Sequence, residues 1–209
     1  MVELLVEGLI SEGLDSLERR AHARRTARYA ATLGLRYNPI ARAPHMAQAF
    51  GELGTGDLLN LLSGRIGGGE VVAWERIVRP PLGADPMDHY SRHPTGHFVA
   101  VPLSRPFPNV VVRAWQVLLT SDDCLWLPAA TRLRLQDPNA DRLFRVAATD
   151  HAFARNLIDE PALLRKPRRS WAVLGPWAVC MTPLPIRRRG KHSLTNELDF
   201  LRTLAVRLG

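Results

Sequence analysis

Apolar positions recur along this chain with two different periods, and the change of period divides it into elements. Over residues 14–33 the period is helical: Ala23, Ala27 and Ala30 share one face, and Gly34 with Leu35 supplies a Schellman-type stop. From Leu58 the pattern becomes that of strands. Leu58–Ile66 and Glu70–Val78 flank Gly67-Gly68-Gly69, which reads as a hairpin turn. Phe98–Leu103, Val110–Trp115, Leu125–Leu127, Leu133–Gln136 and Leu143–Ala147 are further strand candidates, separated by Pro, Asn, Asp and Gly.

Helical spacing returns at Asp150–Arg165, with Asp150 as N-cap and an interruption at Pro161. Ser170–Leu174 and Trp177–Thr182 surround Gly175-Pro176 as a hairpin or one bent strand. Ser193 then caps a final helix whose apolar stripe is Leu194, Leu198, Leu201, Ala205 and Leu208, with Glu197, Asp199, Arg202 and Arg207 directed elsewhere. Strands that follow strands without intervening helices exclude a doubly wound fold. The expected class is α+β: a mainly antiparallel sheet of hairpins, covered on one face by an N-terminal, a central and a C-terminal helix. Residues 1–13, where Gly8 and Gly13 interrupt Leu and Val, are expected to form an arm or short helix, and 14–209 a single domain. A single helical turn is expected near Met46–Phe50.

Composition changes this picture in one respect. The chain has 26 Arg but 2 Lys among 209 residues, and a formal net charge of +8. Guanidinium groups bind phosphate and carboxylate through two hydrogen bonds at once. The same excess, beside 24 Ala, 6 Asn and 6 Ile, is also the signature of a GC-rich genome. Three tracts stand out as candidate anion or nucleic-acid contacts. They are Arg20, Arg24 and Arg28 on the first helix, Arg168 and Arg169, and Arg187, Arg188, Arg189 and Lys191. The first row is mixed, because Leu14, Leu17 and Ala21 fall in the same arc of the helix. Aromatic residues are not interleaved with the last tract, so stacking on single-stranded bases is not indicated.

Candidate chemistry is sparse. His89, His93 and His97 have helical spacing for a metal, but Pro94 and Gly96 oppose a helix there, and His97 is expected to open a strand. Asp137-Pro-Asn-Ala-Asp141 starts like a calcium loop but has Arg142 and Ala148 where Gly and Glu are needed, so it reads as a turn. The glycine triplet lacks the ending of a phosphate-binding loop, and no nucleophile elbow or zinc-protease signature occurs. Cys124 and Cys180 have no metal-ligand spacing, and Cys180 reads as core. No apolar run is long enough for a transmembrane helix, and the first residues do not form a signal peptide. A cytoplasmic protein without cofactor is the resulting expectation.

Several segments in order carry a resemblance. They are Gly34-Leu-Arg-Tyr37, Asn60-Leu-Leu-Ser-Gly64, His97-Phe-Val-Ala-Val-Pro-Leu103, and Leu143-Phe-Arg-Val146 followed by Asp150-His-Ala-Phe-Ala154. Over about residues 20–208 the chain resembles an uncharacterised family of small α+β proteins and domains from high-GC Gram-positive bacteria. Some members of that family carry membrane segments. The resemblance implies the fold and no catalytic residues. The expected function is a non-enzymatic binding or scaffold domain acting on a protein partner or as a homo-oligomer, through the N-terminal arm or the C-terminal helix. The alternative is a basic accessory protein that binds nucleic acid or another polyanion.

Overall fold

A computed structural model of the chain describes residues 2–41, 58–76, 96–114, 130–159, 170–182, 186 and 193–209. In order, these form α1 (Val2–Thr32), β1 (Arg36–Ala41), β2 (Leu58–Ile66), β3 (Gly69–Arg76), β4 (Gly96–Ala114), β5 (Thr131–Leu133), α2 (Pro138–Leu143), β6 (Phe144–Ala148), α3 (His151–Leu157), β7 (Ser170–Thr182) and α4 (Leu194–Leu208). The class is α+β. Every strand pairing is antiparallel, in the order β1-β2-β3-β4-β6-β5, with β7 added to β4. The expected strand at Leu125–Leu127, the turn near Met46–Phe50 and the helix beyond Asp159 lie outside the described residues.

Local chemistry sets most element ends. The α1 helix is one helix from Val2 through Gly8 and Gly13, so helical structure begins well before residue 14. It stops in a Schellman motif: Gly34 takes φ +69°, Leu35 N donates to Ala30 O and Gly34 N to Ala31 O. Leu35 is then buried against the core. Gly67 and Gly68, at φ +55° and +83°, make the two-residue turn that joins β2 to β3 with Ile66 opposite Gly69. Asp137 caps α2 by accepting from Asn139 N and Ala140 N, which makes the expected turn there a short helix. Asp150 caps α3 through Phe153 N, and Ser193 caps α4 through Asn196 N.

The strands expected at 98–103 and 110–115 are one continuous β4. Its first part pairs with β3, its last part with β6, and β7 follows its other edge throughout. Pro102, Pro106 and Pro108 fall in the stretch between the β3 and β6 pairings, where a missing N–H breaks no ladder on that side. Asn109 pins the bend, its side chain accepting from Gly175 N and its backbone exchanging bonds with Thr149.

Both faces of the sheet carry buried apolar side chains, rather than the single face expected. On one face Val71, Ala73, Val99, Val112 and Cys180 join Tyr29 and Ala30 of α1 and Leu194, Leu198 and Leu201 of α4. On the other, Trp74 stacks on its cross-strand neighbour Phe98 at 5.2 Å between centroids, beside Ala100, Val111, Val179 and Met181. Near-continuous apolar runs in β3, β4 and β7 are what such a sheet requires. In α4 the buried stripe uses Leu204 in place of the half-buried Ala205, and it includes Glu197.

Gly34 has open space where a Cβ would stand, so its replacement is opposed by backbone conformation alone. Gly34→Ala is expected to lower stability by about 1–2 kcal/mol, seen as a lower urea midpoint with unchanged slope. Asn at this position should lose less, because it tolerates the left-handed region.

Candidate functional site

Registered antiparallel partners point to the same face, and one such row carries polar residues inside the core. Glu75 of β3 stands opposite His97 of β4, and His97 stands opposite Thr182 of β7. Glu75, His97 and Thr182 are at most 3% exposed. Buried polar groups need partners, and the helices supply them.

At the β4–β7 end, Glu197 descends from the first turns of α4. One carboxylate oxygen lies 2.6 Å from His97 Nε2, and the other accepts the Thr182 hydroxyl. At the β3 end, Glu75 is met from three directions. His22 Nε2 of α1 lies 2.9 Å from both carboxylate oxygens, Asn60 Nδ2 donates at 2.5 Å, and Ile186 N donates at 2.6 Å. Asn60 also accepts the Tyr37 hydroxyl at 2.7 Å, which brings β1 into the network.

Asn60 owes this position to a bulge. Leu59 pairs with Glu75 and Leu62 with Ala73, so Asn60 and Leu61 share the space opposite Trp74. The extra residue turns Asn60 to the helix-covered face, where simple alternation would point it away. Its φ of +49° is the one positive value at a non-glycine among the described residues, and Asn tolerates it better than most side chains. Burial, with the Glu75 charge nearby as the smaller cause, pushes the Tyr37 hydroxyl above its ordinary value of 10.0.

The residue types invite comparison with hydrolytic triads, but the order differs. A nucleophilic triad sets the imidazole between hydroxyl and acid. Here the carboxylate of Glu197 stands between Thr182 and His97, and all three are buried. At Glu75, among the described residues bonded to the carboxylate, only His22 reaches the surface, with its side chain 18% exposed. The arrangement fastens α1 and α4 to the sheet.

Of the residues singled out from sequence, His97 lies at the start of β4 as expected, with its Nε2 2.6 Å from Glu197. Among the described residues no group of His, Cys, Asp and Glu could hold a metal. Arg20, Arg24 and Arg28 are exposed on α1. His89, His93, Arg168, Arg169, Arg187, Arg188, Arg189, Lys191 and Cys124 lie outside the described residues, and Cys180 is a buried thiol outside any disulfide. The sequence reading missed His22, Tyr37, Asn60, Glu75 and Thr182, and it placed Glu197 on the wrong face of α4. Two signals were present. Glu75 continues the inward alternation of Val71 and Ala73, and Glu197 falls between Leu194 and Leu198 on the apolar stripe.

No family model and no curated protein matches the chain. Among solved structures it is similar to the mycobacterial trehalose monomycolate transport factor A, TtfA. The two are 14% identical with a TM-score of 0.58, over 90% of this chain and 93% of that one. The likeness is one of fold. Its mycobacterial source lies within the high-GC Gram-positive bacteria to which the sequence resemblance also points. No described helix is long and apolar enough to cross a membrane.

Two expectations follow. Glu197→Ala strands both His97 and Thr182 and should cost about 3–5 kcal/mol, whereas Thr182→Val should cost about 1 kcal/mol. Equal losses in denaturant unfolding would contradict a carboxylate-centred cluster. Because Tyr37 ionises at higher pH folded than unfolded, the folded state holds its proton longer. The stability it contributes is present below the ordinary value of 10.0 and falls as pH rises through the raised one. Tyr37→Phe should flatten that alkaline slope in pH-dependent urea melts.

Proposed function

We propose that this chain is a non-enzymatic accessory domain that works through protein contacts as part of a transport assembly. The observation that carries this reading is the fold shared with a transport factor over nine-tenths of both chains. Two features of the site support it. The imidazole and carboxylate groups that could do chemistry are turned inward onto each other, fastening helices to the sheet. The second is α1, which packs against β1 and β2 while Leu17, Arg20, Ala21, Arg24, Arg25 and Arg28 are exposed.

Two other surfaces are less suited to contact. The apolar stripe of α4 is used against its own sheet, leaving Val206 as its exposed large apolar residue. The β1 edge is blunted by Pro39, and Ile40 N donates to the Asn38 side chain. A cytoplasmic location remains part of the proposal, with Cys180 as a reduced core thiol.

The test is affinity capture of the tagged full chain from native lysate, with and without nuclease. A discrete set of proteins, including a membrane transporter or its accessory factors, should remain after nuclease treatment. Capture that disappears with nuclease and with moderate salt would instead favour polyanion binding through the arginine tracts and contradict the proposal.

A further inference from the structure

Residues 17–32 of α1 carry two opposite faces. His22, Thr26, Tyr29 and Ala30 form the seat on the sheet, within an arc of about 100°. About 160° around the helix from the middle of that seat is a face of exposed side chains. In order around the helix these are Arg20, Arg24, Leu17, Arg28, Ala21 and Arg25, over an arc of about 140°.

Arg20, Arg24 and Arg28 succeed one another at four-residue steps, about 6 Å apart along the axis, and Arg25 borders the face on its other side. None of the four makes a hydrogen bond or ion pair among the described residues. Glu18, the one carboxylate within residues 17–32, stands beyond Arg25 at the margin. Like charges at three- and four-residue steps oppose the helix that carries them, and a facing anion removes that opposition. Leu17 falls in angle between Arg24 and Arg28 and is 61% exposed.

We infer that this face of α1 lies on the phosphate headgroups of an anionic membrane surface. Charge complementarity and the apolar centre both point to that occupant. Guanidinium groups take phosphate oxygens through paired hydrogen bonds. Their long stems let the charged ends stay at headgroup level while Leu17 and Ala21 settle beneath them, as in a helix lying in the interface plane. Because the sheet packs on the opposite side of α1, these side chains turn away from it and toward a flat surface. A nucleic-acid duplex would satisfy the arginines but would set Leu17 against a phosphate backbone that offers it no apolar contact. The inference goes beyond the protein-contact reading and stands or falls separately from it.

The test is co-sedimentation of the purified full chain with vesicles of phosphatidylcholine alone, and of phosphatidylcholine with an equal part of phosphatidylglycerol, at low and high salt. The chain should bind the anionic vesicles, less at high salt, and bind phosphatidylcholine weakly. Arg20→Gln/Arg24→Gln/Arg25→Gln/Arg28→Gln should lower partitioning about 100-fold or more, at about fivefold per arginine near the surface. Arg134→Gln/Arg142→Gln/Arg155→Gln/Arg207→Gln removes the same charge from exposed positions elsewhere and should lower it less than about tenfold. Leu17→Gln should lower it about tenfold and leave binding to a duplex oligonucleotide unchanged. Unchanged circular dichroism in each variant separates loss of binding from loss of folding. Absence of binding to the anionic vesicles at low salt, equal losses in the two fourfold variants, or full binding by Leu17→Gln would overturn the inference. So would a chain that ignores vesicles but binds the duplex and loses it in the α1 variant. Capture of transport proteins by a chain that ignores vesicles would leave the accessory-domain reading standing and this one refuted.

Discussion

Two carboxylates inside the core organise this molecule. Glu75 and Glu197 sit where apolar side chains would otherwise close the sheet, and a buried acid persists only when its oxygens are met by donors. The donors come from far along the chain: His22 on α1, Asn60 on β2, the backbone of Ile186, and His97 and Thr182 on the central strands. Each satisfied oxygen therefore fixes the position of another element. Removing a carboxylate leaves several partners without their bonds at once, which is why such networks specify one arrangement of helices more sharply than apolar packing does.

The same network engages the chemistry-bearing residues in bonds between elements. Imidazole, hydroxyl and carboxylate lie together at the β4–β7 end, but the carboxylate occupies the middle and solvent is excluded. At the β3 end, His22 reaches the surface as the tip of a structural clasp. α4 is laid on the sheet, Pro39 stands on the β1 strand, and α1 is seated through His22, Thr26, Tyr29 and Ala30. Arg20, Arg24 and Arg28, noticed in the sequence, are exposed on that helix.

Elements governed by short-range chemistry were legible in the sequence. Gly34 as a helix stop, Gly67-Gly68 as a hairpin turn, and Asp150 and Ser193 as caps all follow from backbone conformations or side-chain acceptors acting within a few residues. The continuity of β4 was not legible, because its prolines break the pattern and fall where β4 has no ladder with β3 or β6. The polar row was hidden for a related reason. It depends on the register of three strands distant in sequence and on a bulge that turns Asn60 inward. An inward acid at Glu75 and another on the α4 stripe marked its two centres, and the donors needed the fold before they could be named.

The claim that a buried carboxylate clasps α1 to the sheet is tested most directly by hydrogen exchange across the full chain in wild type and Glu75→Gln. The amide places a donor where Asn60 and Ile186 also donate. The account predicts a marked loss of protection over residues 17–32 of α1, with α4 retaining wild-type protection because Glu197 holds it independently. Protection of α1 unchanged by the substitution, or lost equally from α1 and α4, would contradict it.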